Sequence, residues 1–236
     1  MKRQPFRLLL RWALISASLS GLLFLAVGTS HIASLRAYLA LFSVWLLVTM
    51  LAVDPRLAGE RAHPRNSGVN DGLRCATGSL FLLTLTVAAF SVGRLHPVFI
   101  VPTPIRDGAL VVFAASASLQ AWAMVQNPFF SPVLRVQSER GHHLIDTGPY
   151  RFVRHPGYLA MCVSIPASAV AIGSWLALFP ATAFVIVIRH RAEIEDQFLR
   201  INLFGYVEYA QRVRSGLPLG EARSIRQMAN ARSYHE

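Results

Sequence analysis

Residues 157–188 read GYLAMCVSIPASAVAIGSWLALFPATAFVIVI, a run of 32 residues without an Asp, Glu, Lys or Arg. Arg154-His155-Pro156 precedes it and Arg189-His190-Arg191 follows it. Gly173-Ser174 near its middle is a turn signal, so the run divides into two arms of about 15–16 residues. At 1.5 Å per residue each arm reaches about 22–24 Å as a helix, short of the ~30 Å hydrocarbon core of a bilayer. The reading is an antiparallel helical hairpin set into a membrane, tilted little, thinning the bilayer locally, or partly re-entrant. Pro166 and Pro180, one in each arm, fit helices whose freed backbone groups are met by neighbours. A hairpin returns the chain to the side it left. The polar residues on its two flanks should therefore meet at one membrane face.

Working outward, the rest of the chain has the same character. Of 236 residues, 53% are hydrophobic and only 15% charged, where a soluble domain carries nearer a quarter. Further uncharged segments run over about Trp12–Val27, Ala37–Val53, Cys75–Gly93 and Gly108–Gln126. The first follows Lys2, Arg3, Arg7 and Arg11; it resembles a signal peptide, but further spans follow and the topology closes without cleavage, which favours a signal anchor. The expected fold is an all-α, polytopic integral membrane bundle of about six transmembrane helices. Residues 1–126 form a four-helix region, 127–219 a catalytic region of polar loop, hairpin and terminal helix, and 220–236 a flexible tail.

The net charge of +11 comes from 23 basic residues, nearly all Arg, placed beside apolar segments and not along one polar face. Lipid headgroups and membrane orientation explain that placement better than phosphate tracking, so no nucleic-acid partner is expected. With the N-terminus inside, only Arg36, Arg94 and Arg106 fall outside and the other 20 basic residues inside. This asymmetry puts both termini in the cytoplasm, and Arg-rich usage points to a bacterial inner membrane. Cys75 and Cys162 lack CxxC spacing and read as small buried residues. No HExxH or acidic cluster supports a metal, so none is expected. The absence of an internal repeat argues against transporters built from duplicated halves.

Two polar clusters flank the hairpin. The longer, between Asn127 and His155, carries Gln137, Glu139, Arg140, His142, His143, Asp146, Tyr150, Arg151 and Arg154; the second is Arg189 to Asp196. Arg191 and Glu195 share a helical face. They read either as a surface pair worth ~0.3–0.5 kcal/mol or as a guanidinium and carboxylate pre-oriented at the mouth of the bundle. Ionisable groups facing a membrane interior are functional candidates by default.

The run Gly148-Pro149-Tyr150-Arg151-Phe152-Val153-Arg154-His155-Pro156-Gly157-Tyr158 resembles the signature of the isoprenylcysteine carboxyl methyltransferases and their bacterial relatives. Arg191, Glu195, Asp196 and Leu199 are similar to the family's RxxxEExxL, with Asp for the second Glu. Tyr206, Tyr209, Val213 and Pro218 resemble its ending. Upstream, Asp54-Pro55-Arg56-Leu57 with Glu60-Arg61, and Asn127-Pro128-Phe129-Phe130, are similar to segments of the bacterial members.

The resemblance implies a methyltransferase using S-adenosyl-L-methionine, with a cytoplasmic cofactor pocket formed by Gln137, His142, His143, Leu144, Ile145, Tyr150, His155, Pro156, Gly157, Tyr158 and Glu195. It implies Arg191, Glu195 and Arg154 as catalytic residues, and a lipophilic small-molecule or lipidated acceptor reached through the lipid bilayer. Methyl transfer needs no metal and, with an anionic acceptor, no strong base; alignment supplies most of the catalysis. Two other classes stay open: an NADPH-dependent membrane reductase, whose late HPxY and YxxY pattern is similar, and a non-enzymatic assembly or transport protein.

Overall fold

The structure, a computed structural model, describes residues 4–28, 32–62, 71–95 and 101–214. The expected flexible tail, 220–236, lies outside the described residues. Helices α1 (Gln4–Val27), α2 (Ala33–Ala52), α3 (Pro55–Ala62), α4 (Asp71–Arg94), α5 (Thr103–Gln126), α6 (Pro156–Ile172), α7 (Leu178–Asn202) and α8 (Tyr206–Arg212) follow in order. Helix is the required answer for such segments, because hydrocarbon offers no partner to a free backbone N–H or C=O. By length and composition α1, α2, α4 and α5 can each cross a membrane, and α6 is a shorter apolar helix. The chain is a multi-pass integral membrane protein.

Each of these four helices starts several residues before its uncharged stretch. The bounds of α4, for example, take in Asp71 and Arg74, which pair at 3.0 Å, and Arg94, whose Nε donates to Ala26 O at 3.0 Å. The short helix α3 is absent from the sequence reading. Asp54 Oδ1 accepts the Arg56 N–H at 2.6 Å and Pro55 takes the first helical position, which together start a helix in the interfacial segment.

The bundle packs through small residues. Its main core joins Leu19 and Leu23 of α1, Tyr38 and Phe42 of α2, Ala88 and Ala89 of α4, Phe113 and Ala117 of α5, and Ala167, Ala169 and Ala171 of α6. Lipid tails are as apolar as leucine, so helices associate by close approach and interhelical hydrogen bonds. Both devices appear. The Trp45 indole donates to Ala117 O at 2.8 Å, Trp12 to Ser43 O at 2.9 Å, and the Ser16 and Ser43 hydroxyls lie 3.0 Å apart. Cys162 is half-buried as the sequence suggests, but Cys75 is exposed on α4.

The hairpin breaks at Gly173, with φ +121°, where Cβ would meet Val92 and Arg106 side chains at 3.3 and 3.2 Å. Its tip is fastened to the far ends of the other helices. Val101 N–H donates to Gly173 O at 2.8 Å, Ser34 Oγ to Ile172 O at 2.8 Å, and Ser91 Oγ to Ser174 Oγ at 2.6 Å. Ser34 begins α2, Ser91 nearly ends α4 and Val101 precedes α5, so the hairpin tip lies at the end of the bundle where α2 and α5 begin. Pro166 is inside α6, but Pro180 lies in the first turn of α7, where its missing N–H costs no intrahelical bond. The second arm continues unbroken into the polar cluster, so α7 has an apolar first half and an ionisable second half.

At the same end of the bundle as the hairpin tip, Gly93 lets α4 touch the end of α1, since an added Cβ would lie 2.0 Å from Val27 O. Gly93→Ala is expected to separate the two helices and cost ~1–3 kcal/mol. Gly108→Ala, which meets nothing within 4 Å, should leave stability unchanged or slightly raised. Thermal unfolding in detergent, followed by tryptophan fluorescence, reads both; equal midpoints would refute the contact.

Candidate functional site

The loop between α5 and α6 is folded by arginine forks. Arg135 grips Glu60 of α3 through Nε–Oε1 at 3.0 Å and Nη2–Oε2 at 2.8 Å, and reaches Glu139 at 2.8 Å. Such bidentate pairs fix geometry as well as charge. Arg140 donates to Pro128 O at 2.9 Å and lies 5.6 Å above the Phe129 ring. Asn127 Oδ1 accepts the Phe129 N–H at 2.8 Å, turning the chain sharply at the end of α5. The His142 ring stacks on Phe129 at 4.3 Å, and His143 meets it edge-on at 5.1 Å.

A second knot forms on Asp196 of α7. Arg154 Nε donates to its Oδ1 at 2.8 Å, Tyr206 Oη to the same oxygen at 2.8 Å, and Arg200 Nε to Oδ2 at 2.8 Å. His155 Nε2 stands 3.4 Å from Oδ1. Burial raises the Asp196 pKa. Hydrogen bonds from His155 and Arg200, with the charges of His155 and Arg154, outweigh it and hold the carboxyl well below its ordinary range. Arg154 also donates to Val213 O and Arg214 O at 2.7 and 2.9 Å, and Tyr209 Oη to Tyr150 O at 2.7 Å. The start of α6, the polar half of α7 and α8 are thereby joined.

Between these knots lies a cavity of about 470 Å³, within the range of small-molecule sites. Its polar end is lined by His142, His143, Leu144, Ile145, Tyr150, Arg154, His155, Pro156, Gly157, Tyr158, Arg191 and Glu195. Its deep end runs between the helices to Phe113, Trp45, Phe42 and Tyr38. Gly157 is needed where loop and hairpin meet, because an added Cβ would lie 2.5 Å from the Phe130 ring.

Of the residues that the resemblance assigns to the cofactor pocket or to catalysis, Gln137 alone does not line the cavity. It is fully buried within the loop. Its Nε2 donates to Phe129 O at 2.9 Å, its Oε1 accepts from Arg140, and its N–H donates to His142 Nδ1, so it holds the loop and does not face the cavity. Arg191 and Glu195 are not the surface pair that their spacing allows. Arg191 Nη2 donates to Pro132 O and its guanidinium lies 5.8 Å over the Tyr158 ring. Glu195 accepts the Tyr158 hydroxyl at 2.5 Å. Arg191 is 7% exposed, and its Nε is buried without a hydrogen-bond partner. Burial lowers the His142 pKa to about 4, helped by the charges of His143, Arg135 and Arg140, so the ring is neutral at pH 7. Sequence reading gave no role to Asp196 as a hub, to Arg61, or to the deep aromatics. Tyr38, Phe42 and Trp45 recur at helical spacing on α2, the only sequence signal for that wall, and it is the signal of any core face.

The arrangement defines a class: a helical membrane protein whose polar site at the bundle end opens into an apolar cavity between its helices, fit for an amphiphilic ligand. Residues 109–201 match the sequence model of the isoprenylcysteine carboxyl methyltransferase (ICMT) family. A probable protein-S-isoprenylcysteine O-methyltransferase of Oryza sativa subsp. indica is 39% identical over 98 residues, covering 39% of this chain and 49% of that protein. Protein-S-isoprenylcysteine O-methyltransferase B of Arabidopsis thaliana is 33% identical over 95 residues, 38% of this chain and 46% of its own. The chain spans about half the length of these curated relatives. The solved structure of the eukaryotic intramembrane Ras methyltransferase ICMT superposes with a TM-score of 0.54 at 18% identity, over 86% of this chain and 74% of that one. The chain therefore has the ICMT membrane fold, and it is related in sequence to the ICMT family over the region that holds Tyr150 to Glu195.

Asp196→Asn is expected to leave Arg154 and Arg200 without a counter-charge and to cost about 3 kcal/mol, breaking a mostly buried pair. Hydrogen exchange should then rise first in α8. The pH dependence has two limbs. The Asp196 contribution is present above the ordinary carboxyl value of 3.8 and lost as pH falls below it. The contribution of neutral His142 is present above 6.5 and lost between there and about 4. Thermal midpoints of wild type and His142→Gln against pH should differ in slope only between about 6.5 and 4.

Proposed function

We propose that this chain is an integral membrane methyltransferase that uses S-adenosyl-L-methionine to methylate a carboxylate on a lipophilic acceptor. The observation that carries this reading is the buried Arg191 with its unpartnered Nε, set where the polar site meets the apolar cavity. An orphaned donor in low dielectric is costly, and a carboxylate supplies its missing acceptor. The names of the relatives, protein-S-isoprenylcysteine O-methyltransferases, give a carboxylate beside a prenyl tail as the nearest chemistry.

The polar end suits the cofactor. Glu195, positioned by the Tyr158 hydroxyl, is an acceptor for an ammonium or ribose hydroxyl. Among the described residues Leu144 and Ile145 make no backbone–backbone hydrogen bond, which leaves their edges for an adenine. Tyr150, Pro156 and Gly157 supply an apolar wall, and neutral His142 adds no repelling charge to a cationic ligand. When bound, S-adenosyl-L-methionine supplies a methyl group on a positive sulfur, open to in-line attack.

The chain's own residues then orient and shield. A carboxylate acceptor is already a nucleophile, so no base is needed. Arg191 holds it through Nε without Glu195 competing, because Tyr158 occupies that carboxylate. Arg154 acts as a positioning residue, since Asp196 and the carbonyls of Val213 and Arg214 take up its fork. The acceptor tail lies among Phe113, Trp45 and Phe42, away from water. We place both termini in the cytoplasm of a bacterial inner membrane, on the arginine asymmetry of the chain.

Calorimetric titration of detergent-purified protein tests this. S-adenosylhomocysteine should bind, and NADPH should not. Glu195→Ala should weaken the thioether tenfold or more, whereas Arg191→Ala should keep it and lower methyl-ester formation at least a hundredfold, as loss of a transition-state-aligning charge does. Binding of NADPH alone, or equal and negligible effects of both substitutions, would overturn the assignment.

A further inference from the structure

Arg61 has no part in the scheme above and lies outside residues 109–201. It stands on α3 and lines the same cavity as Arg191. Its Nη1 donates to Phe130 O at 3.3 Å and its Cζ lies 5.5 Å over the Phe130 ring. Among the described residues no carboxylate pairs with it. Glu60, its chain neighbour, is taken by the Arg135 fork and the Ser131 hydroxyl. Burial lowers the Arg61 pKa, and the charge of Arg191, which lines the same cavity, lowers it further.

The other cavity-lining arginines have counter-charges. Arg74 has Asp71 at 3.0 Å, Arg135 has Glu60 and Glu139, and Arg154 has Asp196. Arg61 and Arg191 do not, because Glu195 bonds Tyr158 and is assigned above to the cofactor. Two like charges in a low-dielectric space repel unless a ligand brings negative charge between them. One guanidinium suffices to orient a reacting carboxylate. Two around a single carboxylate would quench the nucleophile that the reaction needs.

We propose that Arg61 is a specificity-determining residue, the seat of a second negative group on the acceptor, so that the preferred acceptor is an amphiphile with a dianionic headgroup. One group sits at Arg191 and reacts. The other sits at Arg61, held by a planar fork already oriented by the Phe130 ring and carbonyl. The second group is a carboxylate or a phosphate ester. This inference rests on the acceptor site proposed above.

The test uses full-length protein in neutral detergent at pH 8, with dodecylsuccinate and dodecyl phosphate as dianionic probes and dodecanoate as the monoanion. Binding is read by calorimetry, with S-adenosylhomocysteine titrated in parallel. Wild type should bind at least one dianion ten times or more tighter than dodecanoate, and the tighter of the two tells dicarboxylate from phosphate. Arg61→Gln should abolish that preference while leaving dodecanoate and the thioether unchanged, and Arg61→Lys should restore part of it. Equal affinity for dianions and monoanion in wild type would overturn the proposal. So would a preference that survives Arg61→Gln, or a loss spread evenly over all probes and the thioether, which would make Arg61 only a fastener of Phe130. Absence of thioether binding alone would count against the methyltransferase reading, not against the dianion seat.

Discussion

The carboxylate of Asp196 is the contact on which the site end of the molecule depends. Donors reach it from two other segments and from its own helix: Arg154 and His155 just ahead of α6, Tyr206 of α8, and Arg200 one turn further along α7. A carboxylate accepts about four hydrogen bonds, and here Arg154, Tyr206 and His155 gather on Oδ1 while Arg200 takes Oδ2. This satisfies a partly buried charge, and it also fixes the angle at which α6 leaves the interface. His155, Pro156, Gly157 and Tyr158 follow Arg154 directly, so the register of the cavity wall is set by a contact made outside it. The Arg154 links to Val213 and Arg214 carry the same constraint to the end of α8.

The cavity is defined as much by which groups lack partners as by which have them. Gln137, Arg135, Arg140 and Arg154 all lie near it, and each has its donors and acceptors engaged within the protein. Arg191 retains a buried, unpaired Nε, and Arg61 lacks a counter-ion among the described residues. The cavity-lining arginines thus fall into two groups, those paired with a carboxylate and the two, Arg61 and Arg191, that among the described residues bond loop carbonyls instead. Sequence alone does not draw that division, because all of them are arginines in polar segments.

The hairpin was legible from its charge-free length and its Gly173-Ser174 break, because a bilayer imposes both. The meeting of its two flanks at one face was legible for the same topological reason. Gln137 lies outside the cavity because the loop turns it inward: Arg140 donates to its Oε1, and its Nε2 donates to Phe129 O, contacts that the sequence pattern does not announce. The two arms differ in length: α6, with 17 residues, is close to the arm read from the uncharged run, whereas α7 continues as one helix of 25 residues through Arg189, Arg191 and Asp196. Helix α3 escaped notice because eight interfacial residues leave almost no periodic signal.

That continuity of α7 has a mechanical consequence. Phe184, Ile188, Arg191 and Glu195 follow one another at helical spacing along a single wall, from the apolar cavity to its polar end. The apolar contacts of Ala181, Phe184 and Ile188 of α7 with Tyr158 and Ile165 of α6 fix its rotation. Because helix rotation is rigid over two turns, the same packing aims Arg191 and Glu195. The polar and apolar ends of the cavity are thereby lined by one continuous helix. A bulkier residue at Ala181 or Ala192, both nearly inaccessible, would turn that wall and move both charges together. If the proposed acceptor binds here, its tail and its reacting group meet the same helix, α7, whereas Arg61 stands on a separate one, α3.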